Sequence, residues 1–134
     1  MLKRMLKNQK GLTLIELLVV VVILGIIAAI AIPSIGGLID NSRQDAHLAN
    51  AQQMISSARL ASTSDPDFST ITLQELVDGG YIEPLESPWD GTYSGQVDYD
   101  GTVYTVTLSD GGNPEYDISD AEASELNRSQ LPIN

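Results

Sequence analysis

"GLTLIELLVVVVILGIIAAIAIPSI", Gly11 to Ile35, decides how the rest of the chain must be built. Leu17 to Ile32 is sixteen residues without a polar side chain, and counting back to Leu12 gives twenty-one, interrupted only by Thr13 and Glu16. Twenty-one helical residues rise about 31 Å at 1.5 Å each, close to the hydrocarbon thickness of a bilayer. The segment is therefore predicted to be a helix that can span a membrane. A carboxylate inside it costs roughly 3 kcal/mol on insertion scales, so Glu16 marks a functional contact and needs a partner.

The flanks of this run set its topology. Four of the seven basic residues, Lys3, Arg4, Lys7 and Lys10, lie in the first ten positions, whereas all eighteen acids follow Gly11. Basic residues before a span and an acidic remainder after it predict a cytoplasmic amino terminus with the rest outside. No small-residue cleavage site of the secretory kind follows the run, so the helix is expected to be retained. Without residues 1–11 the chain carries 3 minus 18, or −15, which repels phosphate backbones and argues against direct nucleic-acid binding. The 134 residues leave room for one small soluble domain beside the span, and the absence of cysteine excludes disulfides and thiolate metal sites.

The basic leader ending in Lys10-Gly11, followed by "LTLIELLVVVVILGIIAAIAIP", resembles the amino-terminal signature of type IV pilins and of the pseudopilins of type II secretion and competence systems. The resemblance covers Lys10 to Pro33. It implies cleavage between Gly11 and Leu12 by a membrane prepilin peptidase, and methylation of the new amino terminus at Leu12. It also implies assembly into a filament with other copies and with minor pilins, through an inner-membrane platform and an assembly ATPase. Leu12 departs from the phenylalanine that the family most often has there. The implied fold is α+β and pilin-like: a long amino-terminal helix, transmembrane in its first half, packed against a small antiparallel β-sheet head. Residues 1–11 would be the cleaved leader, 12–33 the transmembrane and assembly helix, 34–62 its amphipathic continuation, and 63–134 the head.

On that reading Glu16, fifth in the processed chain, has a partner in the α-amine that cleavage creates on Leu12 of a neighbouring subunit. A buried ion pair adds little net stability, but stranding one member costs about 3–5 kcal/mol, so the pair acts as a register device. Pro33 lacks an N–H and frees the carbonyl of Ala29, which is expected to kink or loosen the helix. In related filaments the segment before such a proline is often extended, which would involve Gly25 through Pro33.

Past Pro33 the sequence stays helix-friendly. Leu48, Ala51, Ile55 and Ala58 form one apolar stripe. A helix from Thr13 to Ser62 would be about 75 Å long, so its first half must lie in lipid or against other copies. His47, the sole histidine, is expected to be exposed, and Arg43 and Arg59 to pair with nearby acids. Asp65-Pro66 ends the helix. Thr72-x-x-Glu75 reads as a capping box opening a short helix closed by Gly79, with Leu73, Leu76 and Val77 facing the core. The Gly80-Tyr81 and Pro88-Trp89 pattern resembles heads of major pseudopilins and some Gram-positive pilins, and Trp89 is expected to anchor the core. Gln96 to Leu108 alternates as a hairpin turning on Asp100-Gly101, its apolar face toward the helix. Ser109 to Asp120 reads as a solvated loop, and the tail as one helical turn after Ser119-x-x-Glu122. Oxygens of Asp110, Asn113 and Asp117 would suit calcium, although their spacing matches no EF-hand; no other cofactor is expected.

Enzyme function is not expected, because candidate nucleophiles lack a neighbouring histidine or cysteine and no phosphate-binding glycine loop appears. The reading is a structural subunit of a type IV pilus-like filament. A competence or type II secretion pseudopilin is the alternative, and a membrane-tethered binding module is the alternative of a different class.

Overall fold

The computed structural model describes residues 2–129, with side chains described from Thr13 onward. Its elements are α1 (Leu2–Ser62), β1 (Thr70–Thr72), α2 (Leu73–Asp78), β2 (Tyr93–Tyr99), β3 (Tyr104–Asp110), a 3-10 turn (Pro114–Tyr116) and β4 (Ile118–Glu122). The side chains of Gly11 and Leu12 and the residues Gln130–Asn134 lie outside this description. Two compact units divide the chain, one up to Asp40 and one from Asn41 onward. The fold is α+β, with a long apolar amino-terminal helix and a small antiparallel sheet.

In the first unit α1 is helical through Pro33, Gly36 and Gly37. In the second, the stripe of the sequence closes the core as expected. Ala51, Met54, Ile55 and Ala58 of α1 pack with Leu76 of α2, Val97 of β2 and Val106 and Leu108 of β3, all at most 1% exposed. Burial of each larger side chain contributes about 1.5–3 kcal/mol. Short-period alternation puts Val97, Val106 and Leu108 on one sheet face, which is why that face meets the helix.

The sheet runs in the order β1-β2-β3-β4, all antiparallel. The hairpin is present, but its turn is longer than the expected two residues. Tyr99 faces Tyr104, and Asp100 to Val103 form the connection. Asp100 Oδ1 accepts the N–H groups of Thr102 at 2.8 Å and Val103 at 2.9 Å, so the side chain closes a four-residue loop. Gly101, at φ 95°, takes the left-handed position in it.

The capping box is formed: Thr72 Oγ1 accepts the Glu75 N–H, and Glu75 Oε2 accepts the Thr72 N–H at 2.8 Å. Gly79 follows as the carboxy-terminal cap. The loop expected over Ser109–Asp120 is corrected, because its ends belong to β3 and β4, and Ile118 and Ala121 enter the core. The helical turn expected after Ser119 is displaced: the chain pairs with β3 as far as Glu122, and one turn follows, closed by the Glu125 N–H on the Glu122 carbonyl at 2.9 Å. Burial of Ile118 and Ala121, three residues apart across a register shift in the β3–β4 pairing, outweighs the local capping pattern there.

Candidate assembly surface

The first unit presents one feature, an uncovered apolar helix. Its large side chains from Leu14 to Ile39, including Leu17, Val20, Ile23, Ile27 and Ile32, are each between 45% and 71% exposed. An apolar surface of this extent is stable in water only when lipid or protein covers it. By length and composition the segment is able to cross a membrane, and its most apolar stretch is not buried within the chain. Glu16 lies exposed among these residues. Gly25, Gly36 and Gly37 have open space where a Cβ would be, so their backbones are accessible to close approach by another helix. Pro33 lies on the same helix, between Gly25 and Gly36.

Residues 6–32 match the prokaryotic N-terminal methylation motif. The chain is also 34% identical over 110 residues to the type IV major fimbrial protein FimA of Dichelobacter nodosus, an alignment spanning 78% of this chain and 68% of that protein. The chain belongs to the type IV pilin family. No solved structure gives a significant match. The family is one of structural proteins, not enzymes, so this pilin is a structural subunit. Its motif and apolar helix fit a membrane-anchored precursor and a surface filament.

The pilin head holds a second cluster that sequence reasoning missed. His47 was expected on the exposed side of α1 and is instead fully buried. It sits four residues before Ala51 and seven before Met54, on the same face as the stripe. Its polar ring is tolerated there because both nitrogens are bonded. Nε2 lies 2.9 Å from the Tyr116 carbonyl, which can only accept, so Nε2 carries the proton. Nδ1 then accepts the Tyr93 hydroxyl at 2.7 Å, and that hydroxyl accepts from Asn50 Nδ2 at 3.2 Å. Trp89 is half-buried, stacked on Tyr116 at 4.2 Å between centroids and edge-on to His47 at 5.3 Å. The core anchor expected of it is therefore not found: Trp89 covers His47 and Tyr116 and lies outside the core cluster.

Asp110, like His47, is a polar group with no exposure at all. Ser87 Oγ donates to its Oδ2 at 2.7 Å, and the Gly112 N–H donates to Oδ1 at 3.3 Å. The Trp89 N–H in turn donates to Ser87 Oγ, tying the Ser87–Gly91 loop to the end of β3. Asp117 Oδ1 accepts the Asp110 N–H at 3.0 Å. Both Asp110 oxygens and Asp117 Oδ1 thus accept protein donors, whereas Asn113 precedes the 3-10 turn without a side-chain capping bond. Among the described residues no three or more acidic, histidine or cysteine side chains gather as a metal site. No calcium site is assigned to Asp110, Asn113 and Asp117.

The basic residues also differ from expectation. Arg59 lies over the Tyr104 ring, 5.4 Å from its centroid, in place of a carboxylate. The ion pair among the described residues is Arg128 with Asp45 at 2.6 Å, and it lowers the Asp45 pKa chiefly through the hydrogen bond. Arg43 is exposed on α1, outside that pair.

Proposed function

We propose that this pilin is the main subunit of a surface type IV pilus, processed by a prepilin peptidase and polymerised through α1. The observation that carries the reading is the run of exposed apolar side chains from Leu14 to Ile39 holding Glu16 among them. Other copies of the same helix supply cover of matching length and chemistry. Similarity to a major fimbrial protein favours the main subunit over a minor one, and a pilus over a competence or secretion pseudopilus.

In this reading residues 1–11 are removed between Gly11 and Leu12, and Leu12 is methylated. Residues 12–33 then hold the subunit in the membrane with its amino terminus cytoplasmic, residues 34–62 continue the helix, and residues 63–134 complete the head outside. Assembly transfers the helix from lipid to protein, driven by the inner-membrane platform and its ATPase, with minor pilins as companions. Glu16 of the arriving subunit meets the Leu12 amine of its neighbour, and Gly25 and Pro33 permit the local loosening that packing demands.

Co-expression with an active prepilin peptidase, followed by intact-mass measurement of the membrane-extracted product, tests this reading. Loss of Met1 to Gly11 with gain of one methyl group is expected. An uncut chain beside a fully processed control prepilin would leave Glu16 without its amine and reduce the helix to a tether.

A further inference from the structure

β2 has a strand on both sides over only part of its length. β1 pairs with Gln96 to Asp98 and then gives way to α2 at Leu73, so among the described residues Tyr93, Ser94 and Gly95 have β3 on one side and no strand on the other. Two bonds fix which backbone groups face that open side. The Tyr99 N–H donates to Ser69 O toward β1, and Thr92 O accepts the Gly111 N–H toward β3. Backbone groups alternate sides along an antiparallel strand, so Tyr93 and Gly95 turn theirs away from β3.

They turn toward a groove of about 740 Å³ bounded by α2 and by Pro84 and Leu85, with Leu73 and Val77 on its wall. No side chain lining this groove is charged. That is unusual for this head, since residues 41–134 hold sixteen acids against three arginines. An open strand edge beside an uncharged, partly apolar groove recognises a neutral extended peptide, through main-chain bonds on the edge and apolar side chains on the wall.

One segment of this chain has that chemistry. Gln130–Asn134 carries no charged side chain and places Leu131 and Ile133 two residues apart. When extended, those two direct their backbone groups to one edge and their side chains to one face. Pro132 between them then has its nitrogen, which lacks a hydrogen, on the outer edge where no donor is needed. In its own subunit the segment follows β4, the strand at the sheet edge opposite β1. Leu126 in the core and the Arg128–Asp45 pair hold the chain after β4, leaving only Ser129 before the segment begins. A second copy is therefore the source that fits.

We propose that in the filament Gln130–Asn134 of one copy adds as a short strand to the open edge of β2, at Tyr93 to Gly95, of another copy. This rests on the filament reading above. Because the chain has no cysteine, introduced thiols report the contact directly. Pairing of Leu131 and Ile133 with Tyr93 and Gly95, in either direction, sets Pro132 opposite Ser94, within disulfide range.

Filaments grown from mixed Ser94→Cys and Pro132→Cys copies are expected to give a disulfide-linked heterodimer on oxidation, and detergent-dispersed monomers are not. A chain bearing both substitutions that closes its disulfide within one subunit overturns the inference, and so do filaments that form without the heterodimer. The double variant Leu131→Asp with Ile133→Asp is expected to lose filament yield at least several-fold while its head melts unchanged. Undiminished yield would also overturn it. Failure of the unsubstituted chain to form filaments in the same preparation would instead count against the filament reading itself.

Discussion

His47 Nδ1 and the Tyr93 hydroxyl lie 2.7 Å apart, joining α1 to β2 inside the head. The geometry is complete only with a neutral ring, because protonation would turn Nδ1 into a donor and leave the Tyr93 O–H without the acceptor it has there, while the hydroxyl oxygen keeps accepting from Asn50. Burial holds the His47 pKa below its ordinary 6.5, against the Tyr116 carbonyl and the fields of Asp110 and Asp117, which favour the charged form. The unfolded chain therefore binds a proton that the folded head resists. Stability is full above about pH 6.5 and falls with pH down to the depressed folded value.

Thermal melts of the head are thus expected to drop between pH 7 and pH 5. Asp45, Glu75 and Asp100 have lowered pKa values too, but from ordinary values of 3.8 and 4.5, so their losses come in more acid solution. His47→Gln is expected to flatten the profile between pH 7 and 5 and to cost about 1–3 kcal/mol at neutral pH. An equally steep profile in that variant would assign the dependence elsewhere.

Gly91 is held to glycine by Asp110. A Cβ built on Gly91 falls onto the Asp110 carboxylate, which is fully buried and bonded to Ser87 and Gly112. Gly91→Ala is expected to destabilise the head by about 2–4 kcal/mol, since the carboxylate cannot move without losing those bonds. Chemical denaturation checks this, and Gly111→Ala, where the nearest atom is 3.5 Å from the added carbon, is a milder control.

Glu16→Ala is expected to leave head stability and processing unchanged while filament yield in the sheared fraction falls at least tenfold. The basis is the stranded amine, whose cost of about 3–5 kcal/mol recurs at every subunit. Normal yield would show that the apolar helix alone sets the register.

Thr72→Ala removes the hydroxyl that accepts the Glu75 N–H. A loss of about 1 kcal/mol is expected, read as a lower melting temperature. Because α2 is only six residues long and forms a wall of the groove beside β2, hydrogen exchange at Leu76 and Val77 should rise in the same variant.

Features written in short-range patterns were readable in advance. The stripe through Ala51, Ile55 and Ala58 and the alternation of Val97, Val106 and Leu108 repeat at the period of the element they build, while the apolar run from Leu17 to Ile32 and the Thr72–Glu75 box lie within a few turns of chain. The amino-terminal motif lies in consecutive residues as well, so the family was recognisable without a fold. His47, Asp110, β1 and β4 were not. His47 is buried because Tyr93 and Tyr116, far along the chain, satisfy both its nitrogens. Asp110 is buried because Ser87 reaches it from another loop. β4 exists because β3 offers it an edge, against a local pattern that favoured a helical turn. Local periodicity determines which elements form and which face is apolar. Whether a polar side chain can leave water depends on partners that only the folded chain brings within hydrogen-bond distance.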